Sequence, residues 1–474
     1  MSNNILKIFY NTFPTKLNFF IISILLSVPA ILLGDWKIFI LPLLFFAILY
    51  LVIGERFLMV FIVVTLFTLV GELNESLRVV VHLVDFALIG FLFLRKFGLN
   101  FQDYPRVPKS IIYFLVLFFG AMIISSSVSS YPLAGIGMII QQLAFFVIVY
   151  VFYSLISNKR DIENYIIAII SVGVILVSVS LSTFFTQGYG IIDIIAKDRV
   201  RISSLLSNPE ALSNFYVVSF PFIIAFILFT KKVSSKLLGL ILLIYISIGI
   251  ILTMSRSSIL AILLSTSIIL FLLRRKIFYR LLVAICALVL LTILYEPLNE
   301  FASLFLRIEE GMSARDQLWN MSVNIIRDNP IFGIGPGAYK HVFFNYLPFM
   351  LDEFWGKIMI EFYNMTGGEN FSHNYFLVLF TDLGLLGIIT AITLPLIYLT
   401  IGIKTIKKYR PVGGLRYHLI ITLFAVGVSV ILRNFFNSIG LIYLGGITTN
   451  LPFWLFFSSL IYFYKSPILA EKIS

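Results

Sequence analysis

The sequence predicts an all-α, polytopic integral membrane protein. The expected form is a bundle of about 12–14 transmembrane helices making one domain over residues 1–474, with a long, partly helical extracytoplasmic loop at 296–372. Three observations carry this. Hydrophobic residues make up 60% of the chain and charged residues 12%, where soluble proteins carry about 25% charged residues; the mean hydropathy is +1.02. The apolar runs are about 15 to 25 residues long, the length a helix needs to cross hydrocarbon. The basic residues fall mainly in short loops between those runs. If the N-terminus is cytoplasmic, 23 of the 35 Lys and Arg lie on the inside, the bias that sets membrane orientation, and both termini are inside.

Taken in order, the expected helix cores are 17–33, 38–53, 57–71, 79–94, 110–126, 133–156, 164–186, 211–230, 237–253, 257–273, 277–295, 373–402, 415–436 and 447–464. Runs such as 21–33 and 259–273 do not alternate polar and apolar residues, which excludes a β-barrel despite 23 Tyr and 48 Phe. No small-residue cleavage site follows the first apolar run, so no cleavable signal is expected. The single cysteine, Cys286, excludes an intramolecular disulfide and any cysteine-based metal site, and reads as a small buried hydrophobe. The net charge of +12 follows from the inside loops and does not indicate nucleic acid.

Two outer segments stand apart, 187–209 and 296–372. A loop as long as the second is functional or disordered. Trp319, Tyr339, Phe343, Phe344, Tyr346 and Trp355 make it too aromatic for disorder. Short amphipathic helices are expected at 314–327 and 352–363. No internal repeat or low-complexity tract is present.

The chemistry gathers in these outer segments. His373 follows Ser372, which can cap a helix starting there. The first turn of that helix would then hold His373 at the outer interface, where the helix dipole favours a neutral imidazole, the form a general base requires. The alternative is an interfacial histidine that bonds a loop carbonyl. Arg256 sits in a turn where two apolar helices nearly meet, a costly place for a charge without a purpose. Arg315 sits on the expected loop helix with Trp319 one turn on; Arg199 and Arg201 sit in KDRVRISS. Guanidinium forks match phosphate oxygens, so outer arginines fit a phosphate or pyrophosphate group. The alternative is loop charge paired with Asp198, Asp316 or Asp328. Gly333-Ile-Gly-Pro-Gly337 lacks the Gly-Lys-Ser/Thr of a nucleotide loop and reads as a tight turn that shapes the site. His82 and Asp85 share a helix face. Asp382 lies nine residues past His373 on the opposite face, so both acids are expected to bond neighbouring helices. No cluster with metal-ligand spacing is present.

SRSS at 255–258, ARDQLW at 314–319, NPIFGIGPGAY at 329–339 and HNYFLVLFTDLGLLG at 373–387 together resemble the O-antigen ligase and O-antigen polymerase superfamily of bacterial envelope proteins, over about residues 250–440. The resemblance implies a GT-C-like architecture in the bacterial inner membrane, with the active site on the periplasmic face. It implies transfer of a glycan from undecaprenyl-pyrophosphate to an acceptor hydroxyl, with no cofactor and no metal. On that pattern Arg256 and Arg315, with Arg201 as a weaker addition, hold the pyrophosphate. His373 deprotonates the acceptor, and Asn374 and Trp319 support the site. The implied partners are the undecaprenyl-pyrophosphate-linked oligosaccharide donor, a glycan or lipid A core acceptor, and the flippase and chain-length regulator of the same pathway; no nucleic acid is implied. Polymerisation of O-antigen, capsule or exopolysaccharide repeat units is the preferred reading. Ligation to lipid A core and transfer to a protein hydroxyl are the alternatives. A transporter would show repeats and broken helices at the midplane; the polar residues here lie in the outer loop instead.

Overall fold

The computed structural model describes residues 55–68, 75–98, 100–190, 201–206, 208–306, 315–346, 372–444 and 446–467. The helices expected at 17–33, 38–53 and 352–363, together with Arg199, lie outside the described residues. The other twelve expected cores each coincide with a helix. They are α1 (Glu55–Thr68), α2 (Glu75–Phe97), α3 (Lys109–Val128), α4 (Pro132–Leu155), α5 (Lys159–Thr186), α6 (Pro209–Phe229), α7 (Val233–Thr253), α8 (Arg256–Leu273) and α9 (Arg275–Leu294), then α13 (Tyr375–Tyr409), α14 (Gly414–Arg433) and α15 (Gly446–Lys465). Between α9 and α13 the long loop carries α10 (Glu296–Leu306), α11 (Arg315–Asp328) and α12 (Tyr339–Tyr346). α11 is the amphipathic helix expected at 314–327. Among the described residues there is no β-strand, and α3 to α9, α13 and α14 are long and apolar enough to cross a membrane. The protein is a polytopic membrane helical bundle.

Helix starts follow local chemistry. Pro132 and Pro209 stand in the first turns of α4 and α6, where a missing N–H costs nothing. Asn158 and Asp161 form a capping box on α5. Short turns join α3 to α4, α4 to α5, α6 to α7, α7 to α8 and α8 to α9, while a longer segment links α5 to α6. The bundle has a lysine end and an arginine end. At the lysine end Lys96 Nζ donates to the Ser154 carbonyl at 2.8 Å, and Lys408 Nζ to the Tyr464 carbonyl at 2.9 Å. The arginine end holds the turns after α3, α7 and α14, with α11 and α12.

α6 is the hub of the bundle, packing against α5, α7, α8, α14 and α15. Its first turn therefore lies at the centre of the arginine end. α9 is the opposite case: none of its residues is buried, and it packs on α8 and α10. Cys286 is thus exposed on a helix directed outward, a correction to its reading as a buried hydrophobe. Its run is apolar at the length a membrane-crossing helix needs, although none of it is buried within the chain.

α13 also departs from expectation. It is two segments joined at Gly384, whose φ of 62° and ψ of −146° interrupt the helix. The Tyr375 N–H bonds the carbonyls of Asn434 and Asn437, just beyond α14, while the Asp382 carbonyl accepts Ser125 Oγ near the end of α3. Both anchors belong to the arginine end, so residues 375–383 run along that end. Only the part after Gly384 crosses the bundle, over about 37 Å at 1.5 Å per residue.

Candidate active site

The site is built on Glu210. Asn208 caps α6, its side chain accepting from the Glu210 N–H at 2.7 Å. This places the Glu210 carboxylate in the first turn, where the helix dipole favours an anion. Oε1 accepts from Arg201 Nη2 at 3.2 Å and from Arg315 Nη2 at 3.3 Å. Oε2 accepts from Ser255 Oγ at 2.9 Å, Arg433 Nη2 at 3.2 Å and Asn437 Nδ2 at 3.2 Å. One carboxylate so ties together the loop before α6, the turn before α8, α11, and α14 with the turn after it. Three guanidiniums around one carboxylate leave the cluster positively charged.

The three arginines are not equivalent. Arg433 is fully buried and spends its donors inside the bundle, on Glu210, on Ser258 and Ser213 at 3.1 Å each, and on Asn214 at 3.3 Å. It is a structural cation. Arg201 and Arg315 keep 32% and 18% of their side chains accessible. Arg201 Nε also donates to the Thr253 carbonyl at 3.1 Å, which fixes the direction of its fork. The accessible guanidinium faces of Arg201 and Arg315 suit an anion arriving from outside.

Arg256 opens α8 between Ser255, which bonds Glu210, and Ser257 and Ser258. It is half-buried beside the cluster. Trp319 lies one turn along α11 from Arg315, partly buried, its indole N–H shielded from water with no hydrogen-bond partner among the described residues.

His373 stands two residues before Tyr375, in the left-handed region at φ 53°. It is not in the first turn of α13, as expected, but just ahead of the cap. The cap is Asn374 rather than Ser372. Its Oδ1 accepts from the N–H groups of Phe376 and Leu377 at 3.0 and 3.1 Å, and its Nδ2 donates to the Phe435 carbonyl at 2.9 Å. Asn374 wins because it satisfies α13 and the turn after α14 at once; the buried Ser372 hydroxyl has no hydrogen-bond partner among the described residues. The segment carrying His373 joins the arginine cluster through Asn437. The side chain of Asn437 bonds Glu210, and its backbone carbonyl accepts the Tyr375 N–H at 3.0 Å.

The glycine run docks into the helix break. The Ile334 and Gly335 N–H groups donate to the Thr381 and Asp382 carbonyls, each at 2.9 Å, and the Leu385 N–H donates back to Ile331 at 3.0 Å. These are the backbone groups that the interruption at Gly384 sets free. Gly384 and Gly333 both have positive φ; a Cβ at Gly384 would stand 2.2 Å from the Ile331 oxygen, and one at Gly333 2.5 Å from the Asp382 carbonyl carbon. The Asp382 carboxylate accepts from the Gly337 N–H at 3.1 Å and the Tyr443 hydroxyl at 2.5 Å. Burial and the Asp382 charge push the Tyr443 phenol well above its usual value, which keeps it protonated as the donor. Asp382 thus locks loop to bundle and Asp85 accepts from Thr65 at 2.8 Å, so each acid bonds a neighbouring segment. His82 stacks on Phe86, and His341 on Tyr131.

Glu210 and Arg433 were not singled out from sequence. The signal was there: an acid opening one apolar run and an arginine closing another, and charges at membrane depth usually pair.

Residues 238–392 match the family model described as O-antigen ligase. The match runs from α7 into α13 and contains Arg256, Arg315, the glycine run and His373; Arg201, Glu210 and Arg433 lie outside it. It supports the resemblance to the O-antigen ligase and polymerase superfamily and a glycan-transfer activity of that kind. No curated protein matches the chain.

Proposed function

We propose that the protein polymerises surface polysaccharide on the extracytoplasmic face of the bacterial inner membrane, using a glycan carried on undecaprenyl-pyrophosphate. The observation that carries this reading is the pair Arg201 and Arg315, held side by side on one Glu210 oxygen and partly open at the end of the bundle that also holds His373. Such a pair fits two neighbouring phosphates of a leaving group. His373 takes the proton of the acceptor hydroxyl. The hydroxyl oxygen bonds the anomeric carbon, and the bond from that carbon to the pyrophosphate oxygen breaks with inversion. The pyrophosphate leaves as an anion on Arg201, Arg315 and Arg256. This chemistry needs no metal, because the donor is already activated. The lysine end is read as cytoplasmic from its basic turns, with both termini on that side. A Ser303→Cys variant, made after Cys286 is replaced, should react with an impermeant maleimide from outside; protection would reverse the orientation.

The activity test is purified protein in liposomes supplied with lipid-linked repeat units and EDTA. Longer lipid-linked chains support polymerisation. Product only when lipid A core is added identifies a ligase instead, and no product with either acceptor overturns glycan transfer from this donor. The family match favours ligation and polymerisation alike.

A further inference from the structure

We propose that a groove at the lysine end, away from the arginine cluster, binds one anionic phospholipid of the adjoining leaflet. The groove has a volume of about 590 Å³ and lies between the start of α3, the crossing part of α13 and the end of α15. Lys109, Lys404 and Lys465 stand at its mouth, and Thr393, Leu396 and Ile397 line its length.

Three features define the occupant. The first is charge: three lysines from three separate helices line one groove, and no acidic side chain is among the lining residues. The Lys465 amine donates to the Arg106 carbonyl and, at 3.4 Å, to the Tyr153 hydroxyl; an ammonium has three donors, so one remains beyond these two. The second is length. From Thr393 to Lys404 the lining residues recur every three or four positions, a single stripe of about 16 Å along α13. That is close to half of an about 30 Å hydrocarbon core, the depth of one leaflet. The third is direction. Leu396 is 56% exposed, so the groove opens sideways, where lipid lies, as well as toward its lysine mouth. A soluble phosphate would use the lysines and leave the apolar stripe empty. A phosphodiester headgroup with its acyl chain uses both, and basic pockets between helix ends are recognised lipid headgroup sites.

The test uses the full-length protein in detergent, with native mass spectrometry after addition of phosphatidylglycerol or phosphatidylcholine. Wild type should retain one phosphatidylglycerol in preference to phosphatidylcholine, and inorganic phosphate should not displace it. Lys109→Gln with Lys404→Gln, which leaves the Lys465 bond intact, should weaken retention by roughly thirtyfold, since each lysine near an anionic headgroup contributes about fivefold. Leu396→Trp keeps every charge and fills the groove, and should weaken retention as well. Thermal midpoints close to wild type confirm that the variants, all at exposed positions, are folded. Equal retention of the two lipids, retention unchanged in the double variant, or retention unchanged in Leu396→Trp would each overturn the proposal.

Discussion

Arg201 and Arg315 come from segments 114 residues apart and bond the same carboxylate oxygen, Oε1 of Glu210, at 3.2 and 3.3 Å. A shared acceptor fixes the two forks relative to each other before any substrate arrives. Preorganised charge of this kind costs no rearrangement when negative charge develops on a leaving group. The first prediction follows from the fork geometry. Lysine at either position keeps the charge and one contact to Glu210 but loses the second arm. Arg201→Lys and Arg315→Lys should each lower turnover about tenfold or more, because a hydrogen bond to a charged group contributes roughly 1.5–3 kcal/mol. Thermal unfolding should stay close to wild type, since both side chains are partly exposed. Wild-type turnover in both variants would show that these are structural charges.

Glu210 calls for the opposite expectation. Its carboxylate is the counter-charge of the fully buried Arg433. Glu210→Gln leaves that guanidinium without an anion, and breaking a buried pair from one side costs about 3–5 kcal/mol. The variant should show a clearly lowered thermal midpoint in detergent as well as lost activity. A normal midpoint would mean that Ser213, Ser258 and Asn214 suffice to hold Arg433.

The contrast between these two predictions marks what the sequence could convey. Helix positions were legible because hydropathy and the placement of basic turns are local properties, and twelve expected cores coincide with helices. Arg201 and Arg315 stand out in the sequence as arginines between apolar runs, but their meeting point does not. Glu210 and Arg433 are 223 residues apart in the chain, and nothing local joins them. The break at Gly384 was hidden for another reason: Leu383, Leu385 and Leu386 continue the apolar run straight through it, so hydropathy gives no mark. The cap before α13 was misplaced by two residues. Ser372 and Asn374 can both cap, and only the tertiary bond to the Phe435 carbonyl decides between them.

That break supplies the third prediction. Gly384→Ala forces a side chain into a left-handed conformation and against the Ile331 carbonyl, where no flexible side chain can yield. The backbone strain alone is roughly 1–3 kcal/mol, and the glycine run should lose its seat. Proteolysis within 329–346 should become faster in this variant than in wild type. Gly137→Ala, inside α4, is the control, because nothing stands within 4 Å of a Cβ there; it should be at least as stable as wild type, since alanine is favoured over glycine in a helix by about 0.5–1 kcal/mol. Equal protease resistance in all three proteins would separate the glycine run from the helix break.

The last prediction separates base from binder at His373. Its backbone is left-handed, φ 53°, a region where alanine is strained and asparagine is at ease. His373→Ala therefore removes the imidazole and disturbs the backbone together, whereas His373→Asn removes the imidazole and keeps the conformation. General-base catalysis contributes about 10² to 10⁴ in rate. Both variants should lose roughly that factor, and His373→Asn should still bind the lipid-linked donor as wild type does, because in the proposed mechanism the donor's charge is assigned to Arg201, Arg315 and Arg256. His341→Ala is the control: that ring stacks on Tyr131 at 4.7 Å and has no part in the proposed proton transfer. Near-normal glycan formation by His373→Asn would sink the general-base role. Donor binding that falls in step with turnover would make His373 a binding residue, with the proton then taken by another group at the arginine end.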